Sequence, residues 1–285
     1  MNILVCIKQV PNTQAIAIDP KTNTLIREGV ESILNPFDGY ALEAAARLQD
    51  EHPEVRIYTL SMGPPQAEAV LRESLAIAAD TAYLISDPLF GGSDTLATSY
   101  ILSQGIQRIC ELEGISFAMI FCGKQAIDGD TAQVGPQIAE RLDLPQVTCG
   151  LTCELVESAL KVIRETDQGR EIVLTPLPCL VTFTKPSFEP RFATARRRIA
   201  SRKAEITRLG CDDLPGIDRS RVGLTGSPTR VLKTYVPQIG KDGIILSDFP
   251  LEEATRQLAS FLREKALPSG SNQAQPMGTK EGDER

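Results

Sequence analysis

The chain has 285 residues, 42% of them hydrophobic and 24% charged, enough for a sizeable globular core. A formal net charge of -7 argues against general nucleic-acid binding. The single histidine, His52, leaves no basis for a Ser-His-Asp triad or a histidine metal centre, and the seven cysteines form no Cys-x-x-Cys pair, so buried reduced thiols are expected.

Met1 leads straight into Ile3 to Val10, an apolar run that reads as a central parallel strand. No signal-peptide pattern opens the sequence and no membrane-length apolar span follows, which predicts a cytoplasmic protein without membrane insertion. The polar segment 11–28 predicts a short hairpin around Pro20 to Asn23. Asn35-Pro36-Phe37-Asp38 then places asparagine at an N-cap and proline at the first helical position, ahead of Ala41, Leu42, Ala45, Ala46 and Leu48. Val55 to Met62 is the next strand, and Gly63-Pro64-Pro65 ends it and opens a helix through Ala78. Thr81 to Ile85 is another strand, and its loop, Phe90-Gly91-Gly92-Ser93-Asp94-Thr95, enters a long helix reaching about Glu113.

The stretch from Phe117 to Leu142 carries the functional argument. Phe117 to Cys122 is continuously apolar, as in a strand buried on both faces of a parallel sheet. A polar loop from Gly123 to Gly129 follows, and Val134, Ile138 and Leu142 then recur on one helix face. In an open α/β sheet the crevice at the carboxyl end of such a strand is where ligands sit, and free N–H groups at a helix start favour phosphate. If the helix starts at Pro136, the N–H groups of Thr131 to Gly135 lie outside its ladder; if it starts earlier, Pro136 frees the carbonyl of Ala132 instead. On spacing alone, a plain connection in which Asp130 caps the helix explains the loop equally well.

The regular alternation of strand and helix predicts an α/β fold, a flavodoxin-like or Rossmann-like parallel sheet with helices on both faces. No Gly-x-Gly-x-x-Gly follows the first strand, so the dinucleotide fingerprint is absent. After about Thr148 the pattern changes to strands at 151–155, 160–165, 170–174 and 180–184, with Asp167-Gln168-Gly169 as a hairpin turn, together read as an antiparallel edge. Lys185 to Lys203 gathers Arg191, Arg196, Arg197, Arg198, Arg202 and Lys203, either as a solvated helix face or as a docking surface for an acidic partner or phosphate. From about 216 the composition is too loose for a separate core, although Leu251, Ala254, Leu258, Phe261 and Leu262 make one apolar helix face that needs a surface to lie on. The division expected is a folded domain over 1–215, an arm over 216–267 and a disordered tail over 268–285.

Several separated motifs together resemble the beta subunit of electron-transfer flavoproteins. They are Gly123-Lys124-Gln125-Ala126-Ile127-Asp128-Gly129-Asp130-Thr131-Ala132-Gln133-Val134-Gly135-Pro136, the Asn35 to Asp38 run, Ser61-Met62-Gly63-Pro64, Glu189 to Thr194, and the segment Val162 to Thr182. The resemblance spans nearly everything from Met1 to about Lys265. It implies a heterodimer with an alpha subunit around which the C-terminal arm wraps, and an adenine nucleotide held by Cys6, Asn35, Pro36, Phe37, Asp38, Met62 and Gly123 to Val134. In this family the site holds either a structural AMP or a second FAD that accepts hydride from NADH and supports electron bifurcation.

Members similar to the animal type carry a third carboxylate where this chain has Gly129, and its loss removes a charge that would repel a diphosphate. That departure and the loop at 90–99 point to FAD, with Gly91, Gly92, Ser93, Asp94 and Thr95 as candidate NADH contacts. No side chain need act as acid or base, because the flavin ring would do the redox chemistry. The resemblance also implies docking of an acyl-CoA dehydrogenase or another flavoprotein dehydrogenase, and onward transfer to acceptors such as ferredoxin or flavodoxin. At the docking position the family's leucine is replaced by Ala195, followed by Arg196, Arg197 and Arg198, which favours an electrostatic contact. Two rivals are an ATP-using enzyme of the pyrophosphatase-loop kind, whose motif would normally follow the first strand, and a non-redox nucleotide sensor of the universal-stress type.

Overall fold

The computed structural model of the chain describes residues 1–12, 17–18, 25–26, 32–229, 246–247 and 249–266. In chain order the strands and helices are β1 (Asn2–Cys6), β2 (Gln9–Pro11), β3 (Ala17–Ile18), β4 (Leu25–Ile26), β5 (Ser32–Leu34), α1 (Pro36–Glu51), β6 (Arg56–Met62), α2 (Glu68–Ile77), β7 (Thr81–Ile85), α3 (Thr95–Glu113), β8 (Met119–Gly123) and α4 (Val134–Arg141). They continue with β9 (Gln146–Val156), β10 (Ala159–Thr166), β11 (Gly169–Pro176), β12 (Cys179–Phe183), α5 (Ala195–Ser201), β13 (Thr207–Leu209), α6 (Gly223–Gly226) and α7 (Leu251–Ala266).

Nine strands form one sheet in the order β11-β10-β9-β12-β8-β1-β6-β7-β13. From β9 through β12, β8, β1, β6 and β7 to β13 every neighbouring pair is parallel, and only the β9-β10-β11 end is antiparallel. The α/β expectation therefore holds. Because every β-α unit returns the chain to the same edge, the loops after β1, β6, β7 and β8 all open at the carboxyl edge.

Burial on both faces explains the apolar strands. Ile3, Val5, Ile57, Leu84 and Phe121 pack under Leu42 and Leu48 of α1 and Leu71 of α2. On the other face, Leu4, Leu60, Tyr83 and Ile120 pack under Ile101 and Ile109 of α3 and Ile138 of α4. Each fully buried aliphatic side chain of this kind contributes about 1.5–3 kcal/mol before entropy is counted. α3 starts where Asp94 accepts a hydrogen bond from the Ala97 N–H at 3.0 Å and stops at Gly114, whose φ of +65° suits glycine.

Four details differ from the sequence reading. The run 3–10 is two strands, and β2 leaves the main sheet to pair with β5. β12 does not belong to the antiparallel edge: it inserts between β9 and β8, parallel to both, and all five of its residues are buried. An unbroken apolar run is what such a central strand requires, so the Cys179 to Phe183 pattern was better evidence than its position after a hairpin. β13, a three-residue strand pairing with β7, carries too little pattern to be read from sequence. Finally, the compact body does not stop at 215 but runs from Met1 to Val236, with Val222 and Ser227 buried in it; residues 237–285 form a second unit.

The hairpin turn at Asp167-Gln168 is observed, closed by the pairing of Thr166 with Gly169. β3 pairs antiparallel with β4 as a hairpin around Pro20 to Asn23 would need, but residues 19–24 lie outside the described set, as does the tail 268–285. α7 spans the predicted amphipathic segment and leaves Leu251, Leu258, Phe261 and Leu262 exposed. All seven cysteines are unpaired. Among the described residues no helix is long and apolar enough to cross a membrane.

Candidate functional site

The residues singled out from sequence around Gly123 gather at the carboxyl edge. Cys6 and Cys122 are register partners at the ends of β1 and β8, and both are buried. The Cys6 thiol and burial together push the Cys122 thiol well up, so it stays protonated. Met62 ends β6, and Asn35 to Asp38 begin α1 beside the end of β8.

Asn35 occupies the N-cap position but does not cap with its side chain. Its Nδ2 donates instead to Asp38 Oδ1 and to the Gln125 carbonyl, each at 2.9 Å, and its Oδ1 accepts from the Ile127 N–H at 3.2 Å. Asp38 completes the clamp. Its carboxylate accepts from the N–H groups of Lys8 at 2.7 Å and Gly123 at 3.2 Å. Burial pushes Asp38 up to about 7, against the opposing pull of these hydrogen bonds and the Lys8 charge. A Cβ on Gly123 would lie 2.3 Å from Asp38 Oδ1 and 2.7 Å from the Phe37 carbonyl carbon, so only glycine fits. The first turn of α1 and the end of β8 are thereby fastened to the base of the loop.

Above that base the loop is open. The carbonyl of Ala126 accepts from the N–H groups of Gly129 and Asp130, closing a tight turn. Asp130 and Ala132 then take φ values of +40° and +53°, left-handed backbone that alanine seldom adopts. α4 begins at Val134, so the earlier-start alternative holds and Pro136 lies inside the first turn. Among the described residues no acceptor meets the N–H groups of Thr131, Ala132, Gln133, Val134 and Gly135. The capping alternative fails, because the carboxylate of Asp130 takes the Gln125 side-chain amide at 2.6 Å and α4 has no side-chain cap. The other loop carboxylate, Asp128, meets Lys8 Nζ at 2.7 Å. Gly129 has no atom within 4 Å of a would-be Cβ. The result is a run of backbone donors with the turn's two carboxylates tied off, an arrangement suited to an anion.

Lys8 was not singled out for this site by sequence reasoning, and Thr95 was named only as a candidate NADH contact. Lys8 joins it through a backbone N–H and an ammonium, and Thr95 Oγ1 donates to Gln133 Oε1 at 2.7 Å. A lysine just past the first strand is the only linear signal for the former.

Gly91 to Thr95 share the carboxyl edge but are closed. Ser227 Oγ accepts from the Asp94 N–H at 2.8 Å, Ser93 Oγ accepts from the Gly223 N–H at 3.1 Å, and Asp94 accepts from the Thr229 N–H at 3.0 Å. A Cβ on Gly92 would meet Leu224 at 2.5 Å. Burial raises the Asp94 carboxyl, but the N–H groups of Ala97, Thr229 and Leu96 outweigh it and hold it below the ordinary range.

The basic segment lies elsewhere. Arg197 donates to the carbonyls of Leu75 at 3.2 Å and Ala79 at 2.7 Å, at the carboxyl end of α2 and therefore at the amino edge of the sheet. Arg191 pairs with the buried Glu43 at 2.8 Å and with Asp50 at 2.7 Å, fixing its loop to α1. Ala195, Arg196 and Arg198 remain exposed, beside Phe192 at 94% and Ile199 at 62% exposure. Phe192 is the apolar feature that the sequence reading, which looked to position 195, passed over.

A doubly wound, mostly parallel sheet with a bare-amide turn at its carboxyl edge defines the class of open α/β domain whose ligand crevices lie at that edge. The comparisons narrow the class. The model of the electron transfer flavoprotein domain matches residues 22–214. The chain is 48% identical to the electron transfer flavoprotein subunit beta of Megasphaera elsdenii, over 86% of this chain and 91% of that one. It is 43% identical to the Caffeyl-CoA reductase-Etf complex subunit CarD of Acetobacterium woodii, over 94% and 100%, and 42% identical to Protein FixA of Azorhizobium caulinodans, over 87% and 89%. The chain belongs to the electron transfer flavoprotein family, as a beta subunit.

Proposed function

We propose that the turn from Gly123 to Gly135 holds the phosphates of FAD, and that the chain, paired with an alpha subunit, passes electrons taken from NADH along diverging routes. The observation that carries this reading is the row of five unclaimed N–H groups at 131–135 beside two left-handed non-glycine residues. Such backbone costs about 1–3 kcal/mol per residue, and a bound polyanion offsets it. Fit to a diphosphate in particular rests on Gly129, which opens onto free space and brings no third carboxylate.

In this reading the amides of Thr131 to Gly135 hold phosphate, Asn35 and Asp38 keep the turn rigid, and Cys6 and Met62 line the approach at the strand ends. When bound, the flavin supplies the redox chemistry through its ring system, and the protein supplies position and electrostatics. Thr95, hydrogen-bonded to Gln133, links the 91–95 loop to the turn, and NADH would approach along that flank. The similarity to CarD, whose name places it in a reductase complex, supports a partner beyond the alpha subunit. Phe192 and Ile199, flanked by Arg196 and Arg198, are the surface offered to a dehydrogenase with an acidic face.

The test is to co-purify the chain with its alpha subunit and count the nucleotides released. About two flavins per heterodimer, with bleaching of the visible spectrum on NADH addition, is the expected result. One flavin together with AMP overturns the FAD reading in favour of a simple carrier. A colourless complex overturns the redox reading altogether.

A further inference from the structure

On the outer flank of α3 and α4 lies an open cavity of about 530 Å³, bordered by Leu96, Tyr100, Arg141, Ser220, Arg221 and Thr225. Two cations share one aromatic ring there: the guanidinium carbons of Arg221 and Arg141 lie 4.3 and 5.3 Å from the centroid of Tyr100. They are therefore within about 10 Å of each other. Neither forms an ion pair with any described carboxylate. Arg141 is held by Ser99 Oγ at 3.2 Å and the Leu96 carbonyl at 3.1 Å, and Arg221 has the ring and the nearby charge of Asp218 but no side-chain hydrogen bond among the described residues. Asp218 accepts from the hydroxyl and N–H of Ser220, and these bonds, with the Arg221 charge, hold its carboxyl below the ordinary range.

The platform is rigid. Tyr100 is buried, its hydroxyl accepts from the Asp218 N–H at 2.8 Å and donates to the Gly216 carbonyl at 3.3 Å, so the ring cannot turn away from its cations. Burial, and then the neighbouring Arg221 charge, draw Arg141 below the ordinary guanidinium value. Surface arginines elsewhere in this chain, such as Arg191, Arg208 and Arg219, find carboxylates. Two preoriented guanidiniums with unused donors, the Thr225 hydroxyl in the lining, and room for more than one phosphate describe a polyphosphate site.

We propose that the Arg141–Arg221 cavity binds the pyrophosphate of a nucleotide, at a subsite separate from the turn at 123–135. The two differ in their donors: the turn offers backbone amides at the start of α4, whereas the cavity offers side-chain guanidiniums, that of Arg141 reaching from the end of α4 to Ser99 and Leu96 of α3. The inference does not require a flavin in the turn.

The test uses the heterodimer carrying whatever nucleotide it purifies with. Titration with inorganic pyrophosphate by calorimetry should show saturable binding that Arg221→Gln weakens about tenfold, with Arg141→Lys, which keeps charge but loses the fork, weakening it less. ADP should compete for the same site and bind more tightly than pyrophosphate. The Arg221 side chain makes no hydrogen bond among the described residues and its backbone bond to Asp218 survives the substitution, so the variant should lose at most the ring contact and melt within a few degrees of wild type. Absence of saturable binding, an equal loss in Arg56→Gln on the far side of the sheet, or failure of ADP to displace pyrophosphate would each overturn the proposal. A colourless heterodimer that still binds pyrophosphate in an Arg221-dependent way would sink the redox reading and leave this one standing.

Discussion

Two β-α loops at the same sheet edge show why glycine content alone does not make a ligand site. The loop after β7, with Gly91 and Gly92, and the loop after β8, with Gly123 and Gly129, look alike in sequence. In the first, the chain satisfies itself: Ser93, Asp94 and the N–H groups between them are bonded to Gly223, Ser227 and Thr229, and Gly92 makes room for Leu224. In the second, side chains hold the base while the amides at 131–135 meet no acceptor among the described residues. What separates them is where the backbone donors go. Their aspartates show the same division. Asp38, sealed under the open turn, is raised, whereas Asp94, within the closed loop, is lowered by the N–H groups it accepts.

That opposition gives the largest prediction. Asp38 binds a proton more readily folded than unfolded, so its contribution to stability is full below the ordinary 3.8 and is lost as pH rises through about 7. The loss amounts to at most about 4 kcal/mol. Asp94 has the opposite sign: its contribution is present above the ordinary value and disappears as pH falls through its lowered one. Denaturant unfolding across this range should show a downward slope with rising pH that Asp38→Asn flattens, and an acid limb that Asp94→Asn flattens. Equal slopes for wild type and both variants would erase the electrostatic contrast between the loops.

Next comes Gly123→Ala. Its Cβ would enter the Asp38 carboxylate and the Phe37 backbone, neither of which can retreat without opening the clamp. The expected loss is about 3 kcal/mol in urea unfolding, accompanied by loss of bound nucleotide, because the base of the open turn is displaced. Gly92→Ala, in the closed loop, should cost less, about 1–2 kcal/mol, from its φ of +73° and the flexible Leu224 it would push. It should leave the nucleotide content unchanged. A Gly92 variant that emptied the turn would show the loops to be one unit.

Much of this could be read from residues close together in the chain. The Pro36 helix start, the Asp167-Gln168 turn and the buried strand ending at Gly123 all follow from local pattern, whereas spacing left the 123–135 turn balanced between a plain connection and a ligand site. What escaped is long-range. Asn35 was expected to cap its own helix, a local role, but its amide is drawn 90 residues along the chain to Gln125. Arg197 reads as one of several surface cations, yet it caps the carbonyl end of α2, a partnership with no trace in spacing. β12 follows a hairpin in sequence but enters the centre of the sheet, and only its unbroken burial records that. Residues whose partners lie on other elements look like ordinary polar surface until the fold brings those partners in.

The smallest effect on the fold is expected at Gly129, and it divides the two loops most sharply. Its would-be Cβ meets nothing, so Gly129→Asp should shift stability by no more than about 0.5 kcal/mol. It would, however, add a carboxylate to a turn in which Asp128 is paired with Lys8 and Asp130, still charged, accepts only the Gln125 amide. A diphosphate carries more charge into the turn than a single phosphate and suffers more from that addition. Chromatography of the released nucleotides should show the FAD fraction falling and the AMP fraction rising, with the melting temperature unmoved. Unchanged nucleotide ratios would mean that the charge at 129 does not select the ligand, and the choice between FAD and AMP would have to lie in the surfaces that surround the rest of the molecule.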